Sequence, residues 1–329
     1  PIDGWWRVVY EIVPVTSDLA GEAAGLYNRV YEAYGVACYV EKVGPEDVER
    51  ALEEQERYGG ELAALLLSRR VVGLARIRVA EDIGMGRALI VVDSGLPYPI
   101  AVEVYRLLAR WIFNSLEGRS RTSELVGLAL GIAWRHTHLL ASRALGISPG
   151  EVDAAYILME ALAMPEPPQD LPEGFRLEMF TKPPEGEILE GIADAVNDAF
   201  DEYLDYEPWD VEDADDHFKD LYRRRPGTIV AVTLSPGGDV AGVAVAHPME
   251  TLCGEPALYL SLLGVRKAYR RLGLGRRLVD AVRWYAYRQG VRRVIVDSEP
   301  EVDGVYYRAG FNPVAWWAYT LVPRSVFGV

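Results

Sequence analysis

The segment Val265-Arg266-Lys267-Ala268-Tyr269-Arg270-Arg271-Leu272-Gly273-Leu274-Gly275-Arg276-Arg277-Leu278 follows an apolar run and opens an amphipathic one. Leu278, Val282 and Tyr285 recur at helical spacing, so a helix with an apolar inner stripe begins here. Glycines at 273 and 275 remove Cβ atoms where main-chain N–H groups must approach a ligand closely. The first turn of a helix leaves N–H donors unpaired at the positive end of its dipole, which is a seat for phosphate. Arg270, Arg271 and Arg276 add charge, and the ligand that suits this chemistry is a pyrophosphate. Two other anion-binding loops do not fit. A Walker loop ends in Gly-Lys-Ser/Thr, where Arg276-Arg277 stand, and a dinucleotide fingerprint needs a third glycine, where Leu278 stands.

The spacing Arg270-x-x-Gly273-x-Gly275 resembles the acetyl-CoA signature R/Q-x-x-G-x-G/A of the GNAT acyltransferase superfamily. Downstream, Tyr306-Tyr307-Arg308-Ala309-Gly310-Phe311 resembles the superfamily's second signature, a tyrosine four residues before Gly-Phe. Both stand in the family's order and spacing, and the resemblance covers nearly the whole C-terminal half. It implies acetyl-CoA as co-substrate. The N–H groups of Arg271, Leu272, Gly273, Leu274, Gly275 and Arg276, with Arg270, would wrap the pyrophosphate. The strand end Leu263, Gly264 and Val265 would splay from its neighbour and pair with the pantetheine amides. Tyr306 would serve the thioester sulfur and protonate the departing thiolate, which in a dry site needs a proton or a donor. Family members often carry Asn seven residues before the tyrosine; here Glu299 stands there. Glu299 is a candidate to take the amine's proton, and a solvated loop carboxylate is the reading that stays open beside it.

An amine with a pKa of roughly 10 must lose a proton before it attacks a thioester. From Glu185 to Asp216 the chain has fourteen acids and no Lys or Arg, interleaved with Phe200, Tyr203, Tyr206 and Trp209. In the family this region overlies the acceptor. Glu202, Asp205 and Glu207 are therefore candidate contacts for a cationic small-molecule or peptide amine, a solvated acidic face being the alternative. The expected activity is acetyl-CoA-dependent N-acetyl transfer by direct attack on the thioester. A non-catalytic acyl-CoA-binding sensor or scaffold is the alternative reading.

The elements around these motifs alternate. Strands are predicted at 175–180, 228–234, 240–247, 257–265, 291–296 and 314–321, and helices at 187–204, 211–223, 274–289 and 302–309. A shift of 169 residues lays Asn28 on Asn197, Gly73 and Ala75 on Gly242 and Ala244, and Gly95 on Gly264, which suggests an internal duplication. In that register Ala101, Val104 and Arg106 replace Arg270, Gly273 and Gly275, and Pro97 and Pro99 remove donors, while aligning Leu145-Gly146-Ile147 with Ala309-Gly310-Phe311 puts Ser142 at the tyrosine position. The expected class is α+β, two tandem GNAT-like domains, each a mixed, mostly antiparallel sheet flanked by helices. The expected division is a degenerate domain at 1–164 without the acyl-CoA signature, a linker at 165–172 with its prolines, and an acetyl-CoA-binding domain at 173–329.

The 329 residues, half of them apolar, suffice for two cores without staples. With 49 acids against 34 bases the formal charge is −15, a poor match for nucleic acid or an anionic membrane. No run approaches the ~18 apolar residues of a membrane span. Cys38 and Cys253 stand far apart, so no disulfide and a reducing, cytoplasmic setting are expected. His136, His138, His217 and His247 lack the spaced partners a zinc site wants, so no metal is expected.

Overall fold

The computed structural model describes residues 10–58, 60–80, 85–117, 125–131, 134–146, 154–202, 206–298 and 303–323. In chain order the first half gives β1 (Tyr10–Pro14), α1 (Ala20–Ala33), α2 (Pro45–Tyr58), β2 (Glu61–Leu67), β3 (Arg70–Ala80) and β4 (Met85–Val92). It continues with α3 (Tyr98–Glu117), β5 (Leu125–Gly131), α4 (Trp134–Leu145) and β6 (Ala154–Leu162). The second half gives β7 (Arg176–Phe180), α5 (Gly186–Phe200), α6 (Val211–Arg224), β8 (Ile229–Leu234), β9 (Val240–Glu250) and β10 (Pro256–Val265). Last come α7 (Leu274–Arg288), β11 (Arg293–Ser298), α8 (Asp303–Arg308) and β12 (Asn312–Pro323).

These elements form two compact units, residues 156–315 and residues 1–155 with 316–329. In the 156–315 unit the strand order is β6-β11-β10-β9-β8-β7, antiparallel throughout except for the parallel pair β10–β11. The other unit repeats the plan as β1-β2-β3-β4-β5-β12, with β4–β5 as its parallel pair. Each half of the chain thus ends in a strand that completes the other sheet: β6 pairs with β11, and β12 pairs with β5. The proline-bearing run 165–172 joins β6 to β7 within one unit.

Helices cover both faces of the 156–315 sheet, which is why all six residues of β8 are buried instead of alternating. Ala231, Ala244, Leu258 and Val294 pack under Leu278 and Val282 of α7. On the other face Val232, Val243 and Val245 pack under Ile192 and Val196 of α5 and Phe218 of α6. A capping box between Asp210 and Asp213 starts α6. Helix α5 is tied to the chain entering α6 by Asn197, whose amide donates to the Trp209 carbonyl at 2.8 Å and accepts from its N–H at 2.8 Å. Asn28 ties α1 to Val43 with the same pair of bonds, at 2.8 and 3.1 Å. The duplication read from the 169-residue shift therefore carries a physical latch.

That register does not extend through the next strand. Gly73 pairs with Val92 and Gly242 with Val265, so β4 and β10 correspond at a shift of 173 residues. Gly95 lies in the turn beyond β4, whereas Gly264 lies within β10.

Neither cysteine is free: Cys38 and Cys253 are each disulfide-bonded. This corrects the expectation of reduced thiols and removes it as an argument for a reducing compartment. Among the described residues no helix is long and apolar enough to cross a membrane, and no His, Cys, Asp and Glu side chains group as metal ligands.

Candidate functional site

Strand β10 runs antiparallel to β9 from Pro256 to Val265, with a bulge between Leu260 and Leu262. Its parallel partner β11 accompanies it only at Leu258↔Val294 and Tyr259↔Ile295. Beyond that pair β10 stays with β9, while β11 stays with β6 through Ser298. The two central strands form a fork whose root is Tyr259/Ile295. One prong ends in Leu263, Gly264 and Val265, whose edge toward β11 is unpaired in the ladder.

After Val265 the chain makes a short turn before α7. The Arg266 N–H donates to the Ala241 carbonyl at 3.0 Å, and the Lys267 N–H donates to the Asp198 carboxylate at 2.5 Å. Arg271 and Gly273 then take left-handed φ angles of 66° and 84°. For a non-glycine residue that conformation costs of order 1–3 kcal/mol, a strain found where backbone is held for a ligand. The first main-chain bond of α7 runs from the Arg277 N–H to the Gly273 carbonyl at 3.2 Å. Among the described residues, the N–H groups of 271–276 find no protein acceptor. No side chain caps the helix, because its N-cap is Gly273. A cradle of donors at the positive end of a 15-residue helix therefore opens beside the fork.

The two glycines do different work. Gly273 is fixed by its φ angle, with open space where a Cβ would stand. A Cβ on Gly275 would lie 3.5 Å from Val305 of α8 and 3.6 Å from Val265 of β10. Those are ordinary contact distances, so a single methyl would fit there and a larger side chain would press on strand β10 and helix α8. Tyr306, on α8, is buried against Phe311, ring centroids 5.6 Å apart and edge to face. The Phe311 N–H reaches back to the Tyr306 carbonyl at 3.0 Å, and the Gly310 N–H to Tyr307 at 3.0 Å, with Gly310 at φ 81°. This is a Schellman ending, whose hydrophobic contact joins the residue after the glycine to the one five before it. The Tyr-x-x-x-Gly-Phe spacing thus stops α8 and seats its tyrosine.

The charged residues are distributed differently from the sequence expectation. The Arg270 guanidinium donates to the Ala199 carbonyl at 3.0 Å and the Val265 carbonyl at 3.3 Å, and lies 3.5 Å from Glu202. It ties the end of α5 to the end of β10. Arg276 and Arg277 approach the buried Asp280 at 3.8 and 3.4 Å, and Arg271 is exposed. Glu202 faces Lys267, also paired with Asp201, as well as Arg270. Glu207 is exposed, and Leu272 is an exposed apolar residue in the loop itself. Asp205 and Glu299 lie outside the described residues.

One group was missed from the sequence. His247 on β9, Tyr259 on β10 and Asp297 on β11 stand side by side at the fork's root. Tyr259 and His247 are register partners with rings 5.5 Å apart, and the Tyr259 hydroxyl donates to Asp297 at 3.0 Å. Asp297 is exposed, yet the protein packed about it raises its carboxyl pKa by desolvation, and the Tyr259 hydrogen bond partly opposes the rise. The available signal was polar residues within or near the ends of otherwise apolar strands, whose adjacency shows only once the strands are in register.

Residues 191–311 match the acetyltransferase (GNAT) family. The fold of the whole chain is similar to a GCN5-related N-acetyltransferase from Sphaerobacter thermophilus, at 19% identity, 96% of each chain and a TM-score of 0.67. It is also similar to a tandem GNAT protein from the clavulanic acid biosynthesis pathway, at 15% identity, over 96% of this chain and 99% of that one, with a TM-score of 0.67. No curated protein matches the chain in sequence. At these identities the structural likeness establishes the tandem GNAT fold.

Proposed function

We propose that this chain, whose residues 191–311 belong to the GNAT acetyltransferase family and which carries that fold twice, is an acetyl-CoA-dependent N-acetyltransferase acting on a primary amine. The observation that supports this most is the adjacency of two features: a strand fork at Tyr259/Ile295 and a helix start with open N–H donors at 271–276. Acetyl-CoA supplies the activated acyl group as a thioester.

In this reading the N–H groups of 271–276 bind the diphosphate, as backbone donors at a helix N-terminus do. Arg271 and Arg276 add exposed charge near them, while Arg270 braces the loop instead of reaching the anion. The free edge of Leu263, Gly264 and Val265 pairs with the pantetheine amides, and N–H groups there hold the acyl carbonyl oxygen. Tyr306 donates its hydroxyl proton to the sulfur as the C–S bond breaks. Glu299 is a candidate acceptor of the amine's proton. The acidic connector between α5 and α6 draws the cation in, with Glu207 and Asp205 as its contacts. Glu202 is turned toward Lys267 and Arg270, on the diphosphate side.

The test is release of free thiol from acetyl-CoA across a panel of ethanolamine, putrescine, glucosamine and a lysine-containing peptide, with Tyr306→Phe beside the wild type. Amine-dependent release is expected, with kcat about 100-fold or more lower in the variant and unchanged acetyl-CoA affinity. Tight acetyl-CoA binding without release for any amine would instead support a sensor or scaffold. A variant at full rate would remove Tyr306 as the acid.

A further inference from the structure

The polar row His247, Tyr259 and Asp297 crosses three central strands at the root of the fork. Val294 and Val296 of β11 and Ala244 and Ala246 of β9 pack under α7, so His247, Ile295 and Asp297 point to the opposite face of the sheet. On that face Tyr259/Ile295 is the last parallel pair, and Asp297 is the first β11 residue beyond it. Its carboxylate therefore stands at the root of the fork, oriented by the Tyr259 hydroxyl at 3.0 Å. Among the described residues it has no cationic partner. Arg293, four residues earlier on β11, is held by Glu160 at 3.4 Å and Glu255 at 3.1 Å. The His247 ring packs on Tyr259, with Nδ1 3.2 Å from the Pro248 carbonyl, and supports the phenol from the far side. An exposed carboxylate with no cationic partner among the described residues, standing where two strands part, is a seat for an ammonium group.

We propose that Asp297 binds the acceptor's ammonium and takes its first proton, with Tyr259 as the residue that positions it. This rests on the acyl-transfer reading and names the group that prepares the nucleophile. The ammonium gives one proton to the Asp297 carboxylate, leaving a neutral amine. The C–N bond then forms and the C–S bond breaks. The nitrogen loses its second proton to solvent, the sulfur gains one from Tyr306, which is reprotonated, and Asp297 later releases its own. One proton is set free per acyl group moved, which balances an ammonium and a thioester against an amide and a thiol. The raised carboxyl pKa of Asp297 fits a group that must hold a proton for part of the cycle.

The experiment compares wild type, Asp297→Asn, Asp297→Glu, Tyr259→Phe and Glu299→Gln by thiol release with putrescine and with 2,2,2-trifluoroethylamine, an amine largely neutral near pH 7.5. For Asp297→Asn the expected result is a loss of about 100-fold or more in kcat/KM for putrescine, with the KM for acetyl-CoA unchanged. The loss should shrink to a few-fold for trifluoroethylamine and as pH rises toward the pKa of putrescine. Asp297→Glu should recover part of the rate. Tyr259→Phe should cost about tenfold and move the acidic limb of the pH profile upward, because it removes the bond that favours the charged carboxylate. That variant carries the test if Asp297→Asn does not fold. Equal losses with both amines, a rate within twofold of wild type, or a larger loss in Glu299→Gln than in Asp297→Asn would overturn the proposal. A wild type that binds acetyl-CoA but acylates no amine would overturn the acyl-transfer reading as well, whereas turnover with an indifferent Asp297 would overturn this inference alone.

Discussion

In the first unit β4 stays beside β5 through Leu89 and Ala129, whereas in the second β10 leaves β11 after Tyr259 and Ile295. Matching Gly73 to Gly242 makes Ala88 the counterpart of Leu260 and Leu89 that of Leu262. Ser261 has no counterpart: it is the residue inserted at the bulge, and β4 has no bulge opposite β3. A bulge bends its strand and breaks the ladder locally. One added residue thus separates a sheet that stays closed for two more pairs from one that opens into a fork.

The turns that follow differ in the same sense. In the first unit Asp93 is almost fully buried, accepts from the Gly95 N–H at 2.9 Å and pairs with Arg70 at 2.8 Å. Its carboxylate satisfies a donor and puts negative charge at the strand–helix junction. In the second unit no side chain caps the helix, Arg271 takes a left-handed φ, and the N–H groups of 271–276 have no acceptor among the described residues. The first unit has the same fold with an internal anion of its own at the equivalent junction.

Deleting Ser261 should have the largest effect. The faces of Leu262, Leu263, Gly264 and Val265 are those of Leu89 to Val92, so the sheet accepts the deletion while the fork closes. Circular dichroism should show a folded chain, with thiol release down 100-fold or more and acetyl-CoA binding weakened at least tenfold by calorimetry. Next, Gly275→Val drives methyl groups into Val305 and Val265. Overpacking of this kind costs about 1–3 kcal/mol, and here it displaces α8 with Tyr306. A drop in kcat of tenfold or more is expected, together with a lower melting temperature.

Asp93→Ala asks whether the first unit's anion is purely structural. It leaves the Gly95 N–H and Arg70 without their acceptor, a loss of about 1–3 kcal/mol in denaturant titration, with kcat/KM within twofold of wild type. The smallest effect concerns His217, whose pKa is lowered by burial and, to a lesser degree, by Arg224. Its folded-state pKa lies below the unfolded one near 6.5. The stability it contributes is therefore complete above that pH and is lost as pH falls through the depressed value. His217→Gln should flatten the decline in urea midpoint between about pH 7 and pH 5 that the wild type shows.

Much of this was legible in the residues. The strands and helices of the second half fall within a few positions of their period-two and period-3.6 patterns, and Asn28 and Asn197 turned out to be equivalent latches. Gly273 and Gly275 mark the helix start, although for separate reasons that only φ angles and neighbour distances reveal. Other features were not legible. Alternation announces a strand and not its partner, so the exchange of β6 and β12 between sheets left no trace in composition. The Ser261 bulge and a longer β9–β10 hairpin shift the register by four residues, and an ungapped comparison therefore set Gly95 against Gly264. Arg270 carries the charge expected of a phosphate contact, but its reach to Ala199 is a tertiary fact. Asp297, two residues before Glu299, carries no mark of its own in the sequence; only the sheet sets it next to Tyr259.

The most direct test is amide hydrogen exchange with and without acetyl-CoA, followed peptide by peptide through both junctions. Protection is expected at 262–265 and 271–276, with none at 90–101. Protection at 90–101, or saturating ligand that leaves 271–276 exchanging as fast as before, would contradict the account.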